Sequence, residues 1–392
     1  MAAVSTGQRG LLSTSTASAA ATNRQANLGH IRTEVARALE LFLGRQRADL
    51  TAIGDDLLPC LDAMEGLLAG GKRLRPAFCY WGWRAGGGQD CPEIYTAAAA
   101  LELLQASALV HDDVMDASDT RRGRPAVHRQ FASRFATGQL GPTRSGGPSA
   151  EPGSAEQFGL GAAILIGDML LAWTDELYHA SGFAADVLSG GQPALNAMRT
   201  EVAAGQYLDL LSQVSHSTSV RAALRVVTYK TAKYTIERPL QLGAAMAAGP
   251  QSASTAAALQ GMCTEYGIPL GIAFQLRDDI LGVFGDPART GKPVSGDISE
   301  GKRTVLLALA RDRASASQAR ILDRHLGDRG LTDVGAAKVQ AVLTETGAVA
   351  ECEALIAASV KEAVSALDGA PITEEARTAL AELAVMATNR DD

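Results

Sequence analysis

At 392 residues and 46% apolar content, the chain can bury a large core, in one large domain or two. A formal charge of −7 argues against general nucleic-acid binding, although a locally basic pocket can still hold an anion inside an acidic protein. Five scattered cysteines, Cys60, Cys79, Cys91, Cys263 and Cys352, form no CxxC pair, which argues against a disulfide or zinc framework and suits a reducing cytoplasm.

Residues 1–27 are rich in Ser, Thr and Ala, poor in acids, and lack the apolar core of a secretory signal; they read as a disordered N-terminal tail. From Leu28 to residue 392 the pattern is one of successive helices in an all-α domain, since alanine is abundant, aromatics make up only 5%, and β-branched alternation is missing. No apolar run reaches the roughly 18 uncharged residues of a membrane span. The first chemical signal is Gly70-Gly71-Lys72-Arg73-Leu74-Arg75-Pro76. Pro76 suits the first turn of a helix, so glycines and cations precede a helix N-terminus, which favours anions through free N–H groups and its dipole.

Ile94 to Met115 reads as a continuous apolar helix ending in Asp112-Asp113-Val114-Met115-Asp116. Asp112 and Asp116 share a helix face, where two like charges repel unless a cation lies between them. Mg²⁺ prefers such oxygen ligands and commonly completes its octahedron with waters and substrate phosphate. Arg121 and Arg122 follow closely. Residues 137–156 are rich in Gly, Pro and Ser and read as a flexible surface insertion. A second apolar helix, Thr255 to Leu281, is broken only by Gly261, Gly267, Pro269 and Gly271 and carries Asp278-Asp279 near its end. If the two helices are neighbours in a bundle, their aspartates face each other across a cavity mouth, where bundles build metal sites.

The segments GGKRLRP, LVHDDVMDASDTRRGRP, Tyr229-Lys230-Thr231, Phe274-Gln275-Leu276-Arg277-Asp278-Asp279 and Gly301-Lys302-Arg303-Thr304 occur in an order that resembles the all-trans isoprenyl (polyprenyl) diphosphate synthases, most of all the bacterial geranylgeranyl diphosphate synthases. The likeness runs over roughly residues 30 to 390. It implies a single large helical bundle of the isoprenoid synthase type around a central cavity, in a cytoplasmic homodimer. It also implies head-to-tail condensation of isopentenyl diphosphate with dimethylallyl, geranyl or farnesyl diphosphate, to geranylgeranyl diphosphate.

The same resemblance assigns residues. Asp112 and Asp116 would bind two Mg²⁺ and Asp278 a third, with Asp113 and Asp279 in support. Arg121, Lys230, Thr231, Gln275 and Lys302 would hold the allylic diphosphate, with Lys292 a weaker candidate. Lys72, Arg75, Gln105 and Arg122 would hold isopentenyl diphosphate, the nucleophile, whose own phosphate must not ionise. No protein base is evident; the departing diphosphate would take the proton. Gly282 stands where the family's second motif carries its outer aspartate, and Asp286 follows four residues later. His111 reads as a satisfied helix histidine, because hard Mg²⁺ prefers oxygen. Ser107 and Ala108, one turn before Asp112, would form the upper wall of the hydrocarbon tunnel, and Leu104 and Leu101 its floor. The competing readings are a farnesyl or longer-chain synthase, a class I terpene cyclase and a non-catalytic regulatory subunit. The cyclase is disfavoured by the basic loop and the second aspartate pair, and the regulatory subunit by the presence of both motifs.

Overall fold

The computed structural model of the chain describes residues 9–139, 154–215, 219–248, 253–285 and 296–388, with side chains described from residue 28. Of the disordered tail expected over 1–27, residues 9–27 belong instead to the first helix, with their side chains not described. The insertion expected over 137–156 falls mostly outside the described residues, and Ser154 to Glu156 at its end already belong to a helix. Lys292 and Asp286 also lie outside them.

The described chain is all-α. Helix α1 (Arg9–Ile53) leads into α2 (Leu58–Leu68), α3 (Leu74–Ala85) and α4 (Pro92–Met115). Pro92 and Glu93 open α4 as a first turn should, with a preset φ and a negative charge beside the positive helix end. A two-strand ribbon, β1 (Thr120–Arg121) and β2 (Arg124–Pro125), precedes α5 (Val127–Ala136). Then come the long helices α6 (Ser154–His179) and α7 (Ala185–Val214), the short α8 (Val220–Val226), a π-helix over Val227–Glu237, α9 (Arg238–Ala247) and α10 (Ala253–Phe284). Six more complete the described chain: α11 (Gly296–Ser299), α12 (Val305–Arg313), α13 (Ala316–His325), α14 (Asp333–Glu345), α15 (Ala348–Ser365) and α16 (Glu374–Thr388).

The two aspartate helices each have their own packing partners. α4 packs on α6, α1 and α3, whereas α10 packs on the π-helix and α15. A cavity of about 630 Å³ lies between their aspartate-bearing ends. The interruptions expected in α10 are absent: the helix continues through Pro269, and Gly267 and Gly271 allow close approach to the π-helix instead. A Cβ on Gly271 would come within 2.3 Å of the Ala232 Cα, so only glycine lets α10 press against the π-helix there.

α4 and α6 do have the length and mean hydropathy of a membrane span. Both are bundle helices here. In α4, 72% of the apolar window is buried in the protein, and its C-terminal end carries charged groups into the cavity. The main core gathers side chains such as Phe42, Phe78, Leu103, Ile166 and Tyr266, and a second cluster fills the space between α10, α12, α14 and α15.

Candidate active site

Asp112 is the best-connected carboxylate of the first motif. It accepts from Lys230 Nζ at 3.2 Å and from Arg121 Nη2 at 3.3 Å, and it lines the cavity. Burial works to raise its pKa, but Lys230, Arg121 and Lys302 outweigh burial and hold the carboxyl below its ordinary range. Asp113 turns the other way. It is buried under Arg121, whose Nε donates to it at 2.9 Å, and burial raises its pKa. Asp116 closes α4, and burial together with the neighbouring Asp112 charge pushes it up to about 6.

The arginine pair splits because of the ribbon. Arg122 and Gly123 both have positive φ, 52° and 72°, as a two-residue hairpin turn with the strands' twist demands. Arg121 stays on β1 and reaches back to the aspartates, while Arg122 swings out beside Gly71 and donates to the Leu67 carbonyl.

Lys230 and Thr231 sit on the π-helix, a rare geometry often found at functional sites. With one more residue in each hydrogen-bonded turn, it brings Lys230, Thr231, Tyr234 and Thr235 all to the cavity wall. Gly205 of α7 permits this, since a Cβ there would come within 2.4 Å of the Lys230 backbone nitrogen. Lys230 Nζ is then clamped between Asp112 and Asp209, the latter at 2.6 Å. Burial acts to lower the Lys230 pKa, yet Asp112 and Asp209 raise it overall, so the ammonium stays charged.

The second motif continues this network. Thr231 donates to Gln275, and Gln275 Nε2 donates to Asp279 at 2.8 Å. Asp278 and Asp279 both line the cavity; Asp279 is the buried one, and burial pushes its carboxyl up to about 8. Lys302 reaches the same cavity, paired with Asp297 at 3.2 Å and Glu300 at 2.8 Å. The position of Gly282 is explained by Asp297: a Cβ at residue 282 would meet Asp297 Oδ2 at 2.0 Å. A carboxylate from another part of the chain fills the space where the motif's outer aspartate would stand.

Arg75 and Gln105 line the cavity at its basic side; Arg75 donates to Thr235 at 2.8 Å and lies over the Tyr234 ring at 4.3 Å. Lys72 and Arg122 are not among the cavity-lining residues and sit at the outer rim of the Gly70-Gly71 loop. Arg73 does something different from its neighbours. Held at φ 51°, it turns inward to a buried ion pair with Glu102 and to the Leu68 carbonyl, and so anchors the loop. His111 Nε2 lies 3.2 Å from the Ile164 carbonyl and 3.5 Å from Asp168. Ser107, Ala108 and Leu104 line the cavity below Asp112, whereas Leu101 is fully buried and not among the lining residues.

The carboxylates suit Mg²⁺. Asp113 Oδ2, Asp116 Oδ1 and Asp279 Oδ2 are buried oxygens without a hydrogen-bond partner, an expense that a bound cation would offset. Among the described residues no three His, Cys, Asp or Glu side chains enclose an ion by themselves.

The sequence model of the polyprenyl synthetase family matches residues 59–344. The chain belongs to that family. It is 33% identical over 250 residues to a geranylfarnesyl diphosphate synthase of Aeropyrum pernix, covering 63% of this chain and 68% of the relative. It is 30% identical over 355 residues to heptaprenyl diphosphate synthase component 2 of Geobacillus stearothermophilus, covering 88% and 96%. A crystal structure of geranylgeranyl pyrophosphate synthase from Corynebacterium glutamicum, complexed with isoprenyl diphosphate and magnesium, superimposes with a TM-score of 0.84 at 38% identity, covering 92% of this chain and 98% of that one.

Two residues of this polyprenyl synthetase's site escaped the sequence reading. Asp209 is signalled weakly, as a lone acid inside the apolar stretch Gly205-Gln206-Tyr207-Leu208-Asp209-Leu210. Asp297 carries no signal at all, because it lies fifteen positions beyond Gly282 and meets it only after the chain returns.

Proposed function

We propose that this prenyltransferase is a Mg²⁺-dependent enzyme that joins isopentenyl diphosphate head-to-tail to dimethylallyl, geranyl or farnesyl diphosphate, with geranylgeranyl diphosphate as its main product. The observation that carries the reading is the layout of the cavity: two aspartate motifs interleaved with Lys230, Arg121 and Lys302 at one end, and an apolar channel past Ser107, Ala108 and Leu104 below. Both motifs are present and face the cavity, which supports catalysis over a regulatory role.

Asp112, Asp116 and Asp278 would hold the metal, three ions by family pattern, and Mg²⁺ when bound neutralises the charge that collects on a diphosphate as its allylic C–O bond breaks. The chain's own cations add to that field. Lys230 and Arg121 are fixed by Asp209 and Asp113, so no reorganisation is needed as charge develops. Thr231 and Gln275 orient one another at the same wall. Arg75, with Lys72, Arg122 and Gln105, would take the second diphosphate, so the double bond of isopentenyl diphosphate can attack the allylic carbon. The departing diphosphate would remove the proton that restores the double bond.

We place the enzyme in the cytoplasm as a homodimer. α6 exposes Phe158, Ile164 and Leu165, and α7 exposes Leu211 and Val214, an apolar surface that a second copy would cover. The test of the activity is incubation of purified protein with Mg²⁺, isopentenyl diphosphate and each allylic diphosphate, with the products sized by chromatography. No prenyl diphosphate from any primer would overturn the reading.

A further inference from the structure

The relatives include synthases named for products of five and seven isoprene units, so similarity alone leaves product length open. The cavity itself offers a measure. On α7 the lining residues Gln206, Ala203, Val202 and Arg199 recur at helical spacing and run away from Asp209, which touches Lys230 at the diphosphate end. They pass from polar through apolar to charged. The other charged lining groups lie on or next to the aspartate motifs, the basic loop, Lys230 or Lys302; Arg199 stands apart from them.

Arg199 is held from two sides. It forms an ion pair with Asp175 of α6, and its Nη2 donates to Asn196 Oδ1 at 2.6 Å. Asp175 lies one turn beyond Leu171, which also lines the cavity. The side chains of the pair remain partly in water, 23% and 42% exposed. A hydrocarbon tip that reaches such a pair gains no burial, and pushing further must strip water from charges.

Helix geometry gives the depth. Arg199 lies ten residues before Asp209, about 15 Å along α7 at about 1.5 Å per residue. α6 agrees. Gly167 packs on the His111 ring beside the first motif, and Asp175 is eight residues further, about 12 Å away. A trans isoprene unit has four backbone bonds and spans about 5 Å, in line with the roughly 3.5 Å covered by the three bonds of an extended residue. Three units then fill the channel and four do not. A fifteen-carbon primer is the longest that can seat its diphosphate at the metal end, and one more condensation gives twenty carbons.

We propose that the Arg199–Asp175 ion pair is the end wall of the hydrocarbon channel and sets product length. This rests on the prenyl-transfer reading. Arg199 is a specificity residue and touches only the far end of the tail. The test uses full-length enzyme with Mg²⁺ and isopentenyl diphosphate, primed with farnesyl or geranylgeranyl diphosphate, comparing wild type, Arg199→Leu and Arg199→Lys.

Wild type should stop at twenty carbons and leave the geranylgeranyl primer unextended. Arg199→Leu should raise the fraction of twenty-five-carbon and longer products at least tenfold and extend that primer, and Arg199→Lys should behave as wild type. Should Arg199→Leu fail to fold by thermal melting, Arg199→Gln, which removes the charge but keeps a side chain able to donate to Asn196, carries the same expectation. A wild-type product of another length, or folded variants with the wild-type product distribution, overturns the wall. Failure of wild type to make any prenyl diphosphate overturns the underlying activity instead.

Discussion

Restoring the aspartate that the second motif lacks should impair the enzyme. In Gly282→Asp the new Cβ would stand 2.0 Å from Asp297 Oδ2 and 2.7 Å from its Cγ, against an ordinary contact of about 3.5 Å. The Asp297 carboxylate would have to retreat by more than about 1 Å. It is buried and bonded to Lys302, so the retreat breaks the contact that places the Lys302 ammonium in the cavity. A displacement of about 1 Å in a positioning group costs on the order of 100-fold in rate, equivalent to about 2.7 kcal/mol of transition-state stabilisation. The added negative charge beside Asp278, Asp279 and Asp297 acts in the same direction. Steady-state kcat/KM for the allylic primer, with Tm measured alongside, checks this, and Gly282→Ala isolates the steric part. Wild-type kcat/KM in a folded Gly282→Asp variant would refute the reasoning.

Asp112→Ala and Asp278→Ala should each lower turnover by at least about 1,000-fold, as loss of a group acting in the transition state does, with helicity by circular dichroism unchanged; rates near wild type would sink the metal assignment. Ser107→Phe puts an aromatic ring into a buried channel position, and the main product should shift from twenty carbons to fifteen while geranyl diphosphate is still consumed. An unchanged product in a folded variant would mean that the hydrocarbon tail does not run past Ser107. Arg73→Ala leaves Glu102 buried without its partner and should cost about 3–5 kcal/mol in chemical denaturation; a cost within error would remove Arg73 as the loop's anchor. Burial lifts Asp279 from its ordinary 3.8 to about 8. The stability gained from its protonation is present below the unfolded pKa and lost as pH rises through about 8. Metal-free enzyme should therefore melt lower at pH 8 than at pH 6, and Asp279→Asn should flatten that difference; equal pH slopes in the two proteins would count against it.

The all-α class and the short-range chemistry are legible in the sequence. Alanine-rich apolar stretches specify helices through local propensity, and Asp112 and Asp116, or Asp278 and Gln275, share a side because helical geometry is local. The sequence suggests interruptions in α10, where Gly267 and Gly271 instead answer to the neighbouring π-helix, which periodicity within one segment cannot reveal. How residues far apart in the chain meet follows instead from tertiary packing. It clamped Lys230 between Asp112 and Asp209, turned Arg73 inward to Glu102 while leaving Arg75 on the cavity, and put the Asp297 carboxylate where Gly282 leaves room. It likewise joined Arg199 to Asp175 across two helices at the far end of the channel. Each of these contacts depends on the packing distance and rotation between elements, quantities that no spacing within a single helix encodes.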